Sequence, residues 1–300
     1  MKRIFAFLCL LLAAGGPPLL GGDDFRVEWI SGKTIETLKF EAGANVLRLC
    51  STAHAKRCIV LQPRGSASCA SSAGNILCNA AGVKQEFQNF IATSVIPFHL
   101  EATFPKPAKT EARRSGQVRA VDVRAVEVRA IPSGLRVVLP VDLETYVAGV
   151  LAGEAETMKS SPALCAMAVV ARTWALRWRG RHQRDGFDFC SLTHCQVFNL
   201  PSSSENSVST PISRAVQETR GKVLKYQGQL IDVYFGADCG GVTEAAADVW
   251  PDRAAPYLVS IVDPYCAGSE HSSWQQTLSL ATVSAILHDD MGVQLSGPLL

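Results

Sequence analysis

Residues 163 to 178, ALCAMAVVARTWALRW, are small or apolar on nearly every side. A helix of that kind must be covered on most of its faces, so the chain has to supply layers in which to bury it. A Ser161–Pro162 pair precedes it, the cap and first-turn residues expected of a helix start. Its interior cation is Arg172. An unpaired charge in a low-dielectric interior costs too much to persist. Arg172 therefore requires either a carboxylate and backbone carbonyls, or a wet cleft with a polar ligand.

The sequence predicts an α+β fold. The first 16 residues, MKRIFAFLCLLLAAGG, combine two cations, an apolar run and small residues, the layout of a secretory signal peptide. The run is too short for a convincing transmembrane helix. Cleavage is expected around residues 14 to 16, with an uncleaved anchor as the alternative, and the mature chain is expected outside the cytoplasm. Residues 17 to 102 alternate short apolar runs with Gly, Ser and Asn clusters and read as β-rich. Four cysteines, Cys50, Cys58, Cys69 and Cys78, crowd this part and predict two disulfides of open pairing. Residues 103 to 117 are rich in proline and charge and read as a linker, which leaves 118 to 300 as the second domain. With 29 basic against 27 acidic residues, nothing indicates a nucleic-acid partner.

In VRAVDVRAVEVRA the valine period of two slips by one at Ala125 and Val126. A slip flips the buried face, so two short strands or one bulged strand are expected. Asp142 is placed to cap a helix whose apolar face is Leu143, Tyr146, Val147, Val150 and Leu151. Gly153 is expected to stop this helix, with Glu154 the first residue beyond the stop. Further on, strands KVLKYQ and QLIDVYF are expected to join at a turn on Gly228. The loop GADCGGVTEAAADVW lacks the spacing of a phosphate-binding loop.

LPVDLETYVAGVLAGE, ALCAMAVVARTWAL, FDFCSLTHCQVF, ETRGKVLKYQGQLIDVYFGADCGGVTE and PYLVSIVDPYC occur in that order. In these segments the chain resembles the SpoIID/LytB family over roughly residues 118 to 275. The resemblance implies a SpoIID-like domain acting on peptidoglycan. Sporulation members are lytic transglycosylases that cut peptide-stripped glycan strands between N-acetylmuramic acid and N-acetylglucosamine and leave a 1,6-anhydro end. The family's catalytic glutamate aligns with Glu154. Arg172, Gln196, Tyr234 and Thr243 match polar positions that would line the glycan groove. LytB members are amidase enhancers, so the alternative reading is a non-catalytic glycan-binding protein that serves an amidase. Family members commonly run on beyond the point where this chain ends.

The chemistry agrees with one carboxylate. Glycosidic cleavage needs a proton on the leaving oxygen as an oxocarbenium-like centre develops. A hydrolase also needs a second carboxylate, for which Asp232, Asp238 and Glu244 are candidates by sequence. A transglycosylase does not, because the sugar's own C6 hydroxyl is the nucleophile. Glu156 is expected to be exposed, and Trp250 and Trp274 either stack on sugars or belong to the core.

His182, Cys190, His194 and Cys195 offer two imidazoles and two thiols within a short stretch, a set that suits a structural tetrahedral zinc. Some family members hold zinc in this region. The alternative is disulfide pairing, in which Cys239 and Cys266 join each other or this pair. Cys165 is expected in the core.

Overall fold

The computed structural model describes residues 23–105, 119–155, 157–200, 210–266 and 275–291. The predicted signal peptide, Glu156, Trp274 and almost all of the predicted linker lie outside these residues. The chain divides into two compact units, one ending at Val233 and one beginning at Tyr234.

The first unit is built on an eleven-stranded sheet. Its strands are β1 (Phe25–Trp29), β2 (Thr37–Glu41), β3 (Leu47–Ser51), β4 (Cys58–Leu61), β5 (Ser66–Ser72), β6 (Asn75–Ala80), β7 (Val83–Phe87), β8 (Asn89–Thr103), β9 (Arg119–Ile131), β10 (Gly134–Val141) and β11 (Phe189–Cys190). The order is β11-β1-β10-β9-β8-β2-β5-β6-β7, and β3 pairs with β8 and β4. Strand β8 is the branch point: its first half pairs with β3 and its second half with β2. Apolar residues alternate inward as the pattern requires, with Phe25, Val27 and Trp29 buried on β1 and Leu38 and Phe40 on β2. Val137, Val138 and Leu139 are buried in succession, so both faces of β10 are covered.

The valine slip is one strand with an irregular pairing. Val121 is buried on one phase of β9, and Val126 and Val128 on the other. The register against β8 shifts where Thr93 and Phe98 meet Ala125 and Val123. The two predicted disulfides are present as Cys50–Cys58 and Cys69–Cys78. Each joins residues directly opposite one another in an antiparallel hairpin, so strand register decided a pairing that composition left open.

Strands on the two sides of the predicted 103–117 linker form one sheet, because β8 pairs with β9. Strand β1 also pairs with β10 and, in parallel, with β11. The division of the chain falls at Val233 rather than at the linker.

The described residues of the first unit also form three α-helices, α1 (Leu143–Glu154) and α2 (Ser161–Arg177) before β11 and α3 (Pro211–Glu218) after it, which pack on one another. Asp142 caps α1 as expected, accepting the N–H groups of Glu144 at 3.0 Å and Thr145 at 3.1 Å. The expected face is buried at Tyr146, Val147, Val150 and Leu151. The cap of α2 is Ser160, one residue earlier than expected, and Ser161 and Pro162 are its first helical residues. Helix α2 buries Leu164, Met167, Ala168, Ala171, Arg172, Thr173 and Ala175, and its small residues allow the neighbouring elements a close approach. Cys165 is half-buried at its margin. A hairpin of β12 (Lys225–Tyr226) and β13 (Gln229–Leu230) turns at Gln227 and Gly228, both with positive φ.

The second unit carries a bridge between Val242 and Val262, α4 (Ala246–Val249) and α5 (Leu280–Met291). No helix of the described residues is long and apolar enough to cross a membrane.

Candidate active site and metal centre

Gly153 does not stop α1. The helix runs through Glu154, and Ala155 is its C-cap. The glycine serves a different need, because a Cβ there would lie 2.7 Å from the carbonyl carbon of Val197 and overlap its oxygen. One turn earlier, a Cβ on Gly149 would lie 2.7 Å from a ring carbon of Phe198. Two glycines four residues apart present one bare side of the helix, and the segment 196–199 lies on it. Asn199 N–H donates to Gly149 O at 3.0 Å. Val197 N–H donates to Glu154 Oε1 at 2.7 Å.

Glu154 is thus the last residue of α1, half-buried, with one carboxylate oxygen fixed by a backbone amide. Among the described residues no hydrogen bond reaches Oε2, and no cation lies within ion-pair distance of the carboxylate. The carboxylate is held in position by that amide.

Tyr146, one face of the same helix, is the hub beneath the site. Its ring packs on Phe25, Phe189 and Phe198 at centroid distances of 5.7, 5.1 and 5.5 Å. Its hydroxyl donates to Gln196 Oε1 at 3.2 Å. Burial raises its pKa, and the nearby Cys195 and Cys190 add to the rise. Gln196 is 2% exposed, and its Nε2 has no partner among the described residues, a deficit worth about 1–3 kcal/mol. Gln196 therefore packs under Tyr146 rather than facing open solvent. Neither this role of Tyr146 nor the place of Val197 is legible in the sequence, where the spacing of Gly149 and Gly153 is the signal that a segment crosses the helix.

Arg172 is fully buried and takes the structural alternative. Its Nε and one terminal nitrogen donate to the two oxygens of Glu144 at 3.1 and 2.6 Å. Its remaining donors meet the carbonyls of Ala168, Lys222 and Val216. The guanidinium is committed to tying α1, α2 and α3 together, which corrects its expected place in a groove. Tyr234 and Thr243 lie in the second unit. Tyr234 is 42% exposed and stacks on Trp250 with centroids 4.7 Å apart. Thr243 bonds within its own unit, accepting from Ile261 N–H at 3.0 Å. Asp232 pairs with Arg177 at 2.8 and 3.2 Å, and Asp238 and Glu244 belong to the second unit.

His182, Cys190, His194 and Cys195 converge, with one ligand atom from each within 4.8 Å of the others. Cys190 is placed by the parallel pairing of β11 with β1. The loop around it is fixed by Ser31 and Ser191, which each donate a backbone N–H to the other's hydroxyl at 3.0 Å. His194 Nδ1 lies 3.8 Å from each sulfur and 3.2 Å from His182 Nε2. A tetrahedral zinc would set sulfur and nitrogen about 3.5–3.6 Å apart and two nitrogens about 3.3–3.4 Å apart. The donor set fits a zinc ion, and His182 Nδ1 faces Asp185 at 3.4 Å, the second contact that orients a ligating imidazole. The two free thiols are hydrogen-bonded to each other, which lowers the pKa of Cys190, and the same contact together with burial raises that of Cys195.

Residues 132–226 match the family model of SpoIID, Stage II sporulation protein. Over 144 residues the chain is 35% identical to an uncharacterized protein of Brachyspira hyodysenteriae, covering 48% of this chain and 38% of that one. It is 34% identical over 131 residues to the amidase enhancer of Bacillus subtilis, covering 44% of this chain and 16% of the relative. It is 30% identical over 168 residues to stage II sporulation protein D of Bacillus subtilis, covering 52% and 48%. The chain thus spans about half or less of the length of these relatives. In this central region the chain is similar to the SpoIID/LytB family.

Proposed function

We propose that the chain is an exported peptidoglycan lytic transglycosylase that cleaves glycan strands, peptide-stripped by preference, with Glu154 as acid and then base. The observation that carries this reading is the position of Glu154: the end of α1, one oxygen held by Val197 N–H, and no cation paired with it among the described residues. In the reaction Glu154 gives its proton to the glycosidic oxygen as the bond from that oxygen to C1 of the muramic acid breaks. The C6 hydroxyl oxygen of the same sugar bonds to C1 and passes its proton to the carboxylate. The acid is regenerated, no water is consumed, and no second carboxylate is required.

Export is in keeping with two disulfides in the first unit. His182, Cys190, His194 and Cys195 would hold a structural zinc. Such an ion would cross-link the loop that supplies Val197 to β11, and would take no part in the sugar chemistry.

The second reading is an amidase enhancer that binds glycan without cutting it, favoured by the name of one Bacillus subtilis relative. Digestion of peptide-free glycan strands followed by mass spectrometry separates the two. Anhydro ends from the wild type that fall about 100- to 10,000-fold in Glu154→Gln support the lyase. Intact strands together with faster amidase action support the enhancer, and ordinary reducing ends indicate a hydrolase.

A further inference from the structure

We propose a second metal site in the second unit, formed by Cys239, Asp263 and Cys266 and suited to zinc. The two sulfurs and a carboxylate oxygen lie within 4.8 Å of one another. Asp263 Oδ2 stands 3.6 Å from Cys239 Sγ and 3.7 Å from Cys266 Sγ. With zinc bonds of about 2.3 Å to sulfur and 2.0–2.2 Å to oxygen, a tetrahedral ion spaces those atoms about 3.5–3.7 Å apart. Both thiols stand within donor distance of the same carboxylate oxygen, and a bound cation would take the place of their protons.

The surrounding backbone is arranged for these ligands. Tyr265 N–H donates to Asp263 Oδ1 at 3.0 Å, which turns Oδ2 toward the sulfurs. Gly240 and Gly241 both have positive φ, 68° and 101°, and a Cβ on Gly240 would meet nothing within 4 Å. Backbone conformation rather than space therefore demands glycine there. The turn brings the Gly241 N–H onto the Cys239 sulfur and so fixes where that sulfur stands. Asp263 N–H donates to Gly241 O at 2.8 Å and Thr243 N–H to Ile261 O at 2.9 Å, so the ligands come from two segments already held side by side.

The unit also has a need for such a tie. Among its described residues Ala246 is its one buried hydrophobic, while Val242, Ile261, Val262 and Tyr265 are exposed. A segment with so little core gains stability from a bound metal. Binding releases two thiol protons to solvent, and three protein ligands leave a fourth position for water. The inference is independent of the role given to Glu154.

The test is the zinc content and thiol state of the full chain, purified without chelator, by mass spectrometry. Cys239→Ser is expected to lose one equivalent of zinc relative to its parent, in the wild type and equally in a Cys190→Ser/Cys195→Ser background. Asp263→Asn, which leaves both thiols in place, is expected to weaken zinc binding at least about tenfold. Cobalt bound in place of zinc should show thiolate charge-transfer absorption that Cys239→Ser removes. Unchanged zinc content in both variants overturns the proposal, as do Cys239 and Cys266 that alkylate only after reduction.

Discussion

Val197 and Glu154 are joined by a backbone N–H that donates to the carboxylate at 2.7 Å, across 43 residues of sequence. The contact exists because Gly153, next to Glu154, leaves room for the Val197 carbonyl. Gly153→Ala should therefore push the 196–199 segment off α1 and cost about 1–3 kcal/mol of stability. Activity on peptide-free glycan should fall about 100-fold through misplacement of the acid. Chemical denaturation together with a strand-cleavage assay checks both; full activity in Gly153→Ala would show that the Val197 contact does not position the carboxylate.

Glu144 and Arg172 form the ion pair at the heart of the helical layer, with the arginine side chain 0% and the glutamate 17% exposed. Removing one partner leaves a buried charge unpaired. Glu144→Ala is expected to destabilise the chain by about 3–5 kcal/mol, and Glu144→Ala/Arg172→Met should recover a good part of that loss. Thermal unfolding of the three proteins tests the pairing, and a double variant no better than the single would contradict it.

Asp142 caps α1 with three hydrogen bonds from Glu144 and Thr145. Burial acts to raise its pKa, but these bonds prevail and hold it below the ordinary value of 3.8. A carboxyl with a depressed folded-state pKa contributes stability that is complete above its unfolded pKa. That contribution is lost as pH falls through the folded-state value. Asp142→Ala should cost about 1 kcal/mol at neutral pH, with the gap to wild type closing below about pH 4. A gap that persists in acid would place the stabilisation elsewhere.

The His182, Cys190, His194 and Cys195 cluster underlies a prediction about metal. Chelation of the full chain should lower its Tm and slow strand cleavage together, because the loop that leads to Val197 is anchored through Cys195. Cys195→Ser should reproduce both effects without chelator. A Cys190–Cys195 disulfide in the purified protein, with Tm unaffected by chelator, would count against zinc here.

Much of the helical layer was legible in the sequence. The cap at Asp142, the buried face of α1 and the burial of much of α2 follow from residue type and a period of 3.6. The slip in β9 was equally visible, since the buried phase changes within one run of valines. Gly153 was misread because a glycine near a helix end has two physical uses, a left-handed stop or a close approach. Local sequence does not say whether another segment crosses there.

The sequence by itself determined the β-rich first part, helices α1 and α2 and the presence of two disulfides, because these depend on periodicity, capping and composition over short stretches. Only the tertiary structure decided that Cys50 faces Cys58 and Cys69 faces Cys78, that Arg172 belongs to Glu144, and that Val197 holds Glu154. Each of these is a match between distant segments, fixed by strand register or helix packing, and such matches are set by the shape of the folded chain rather than by any one segment of it.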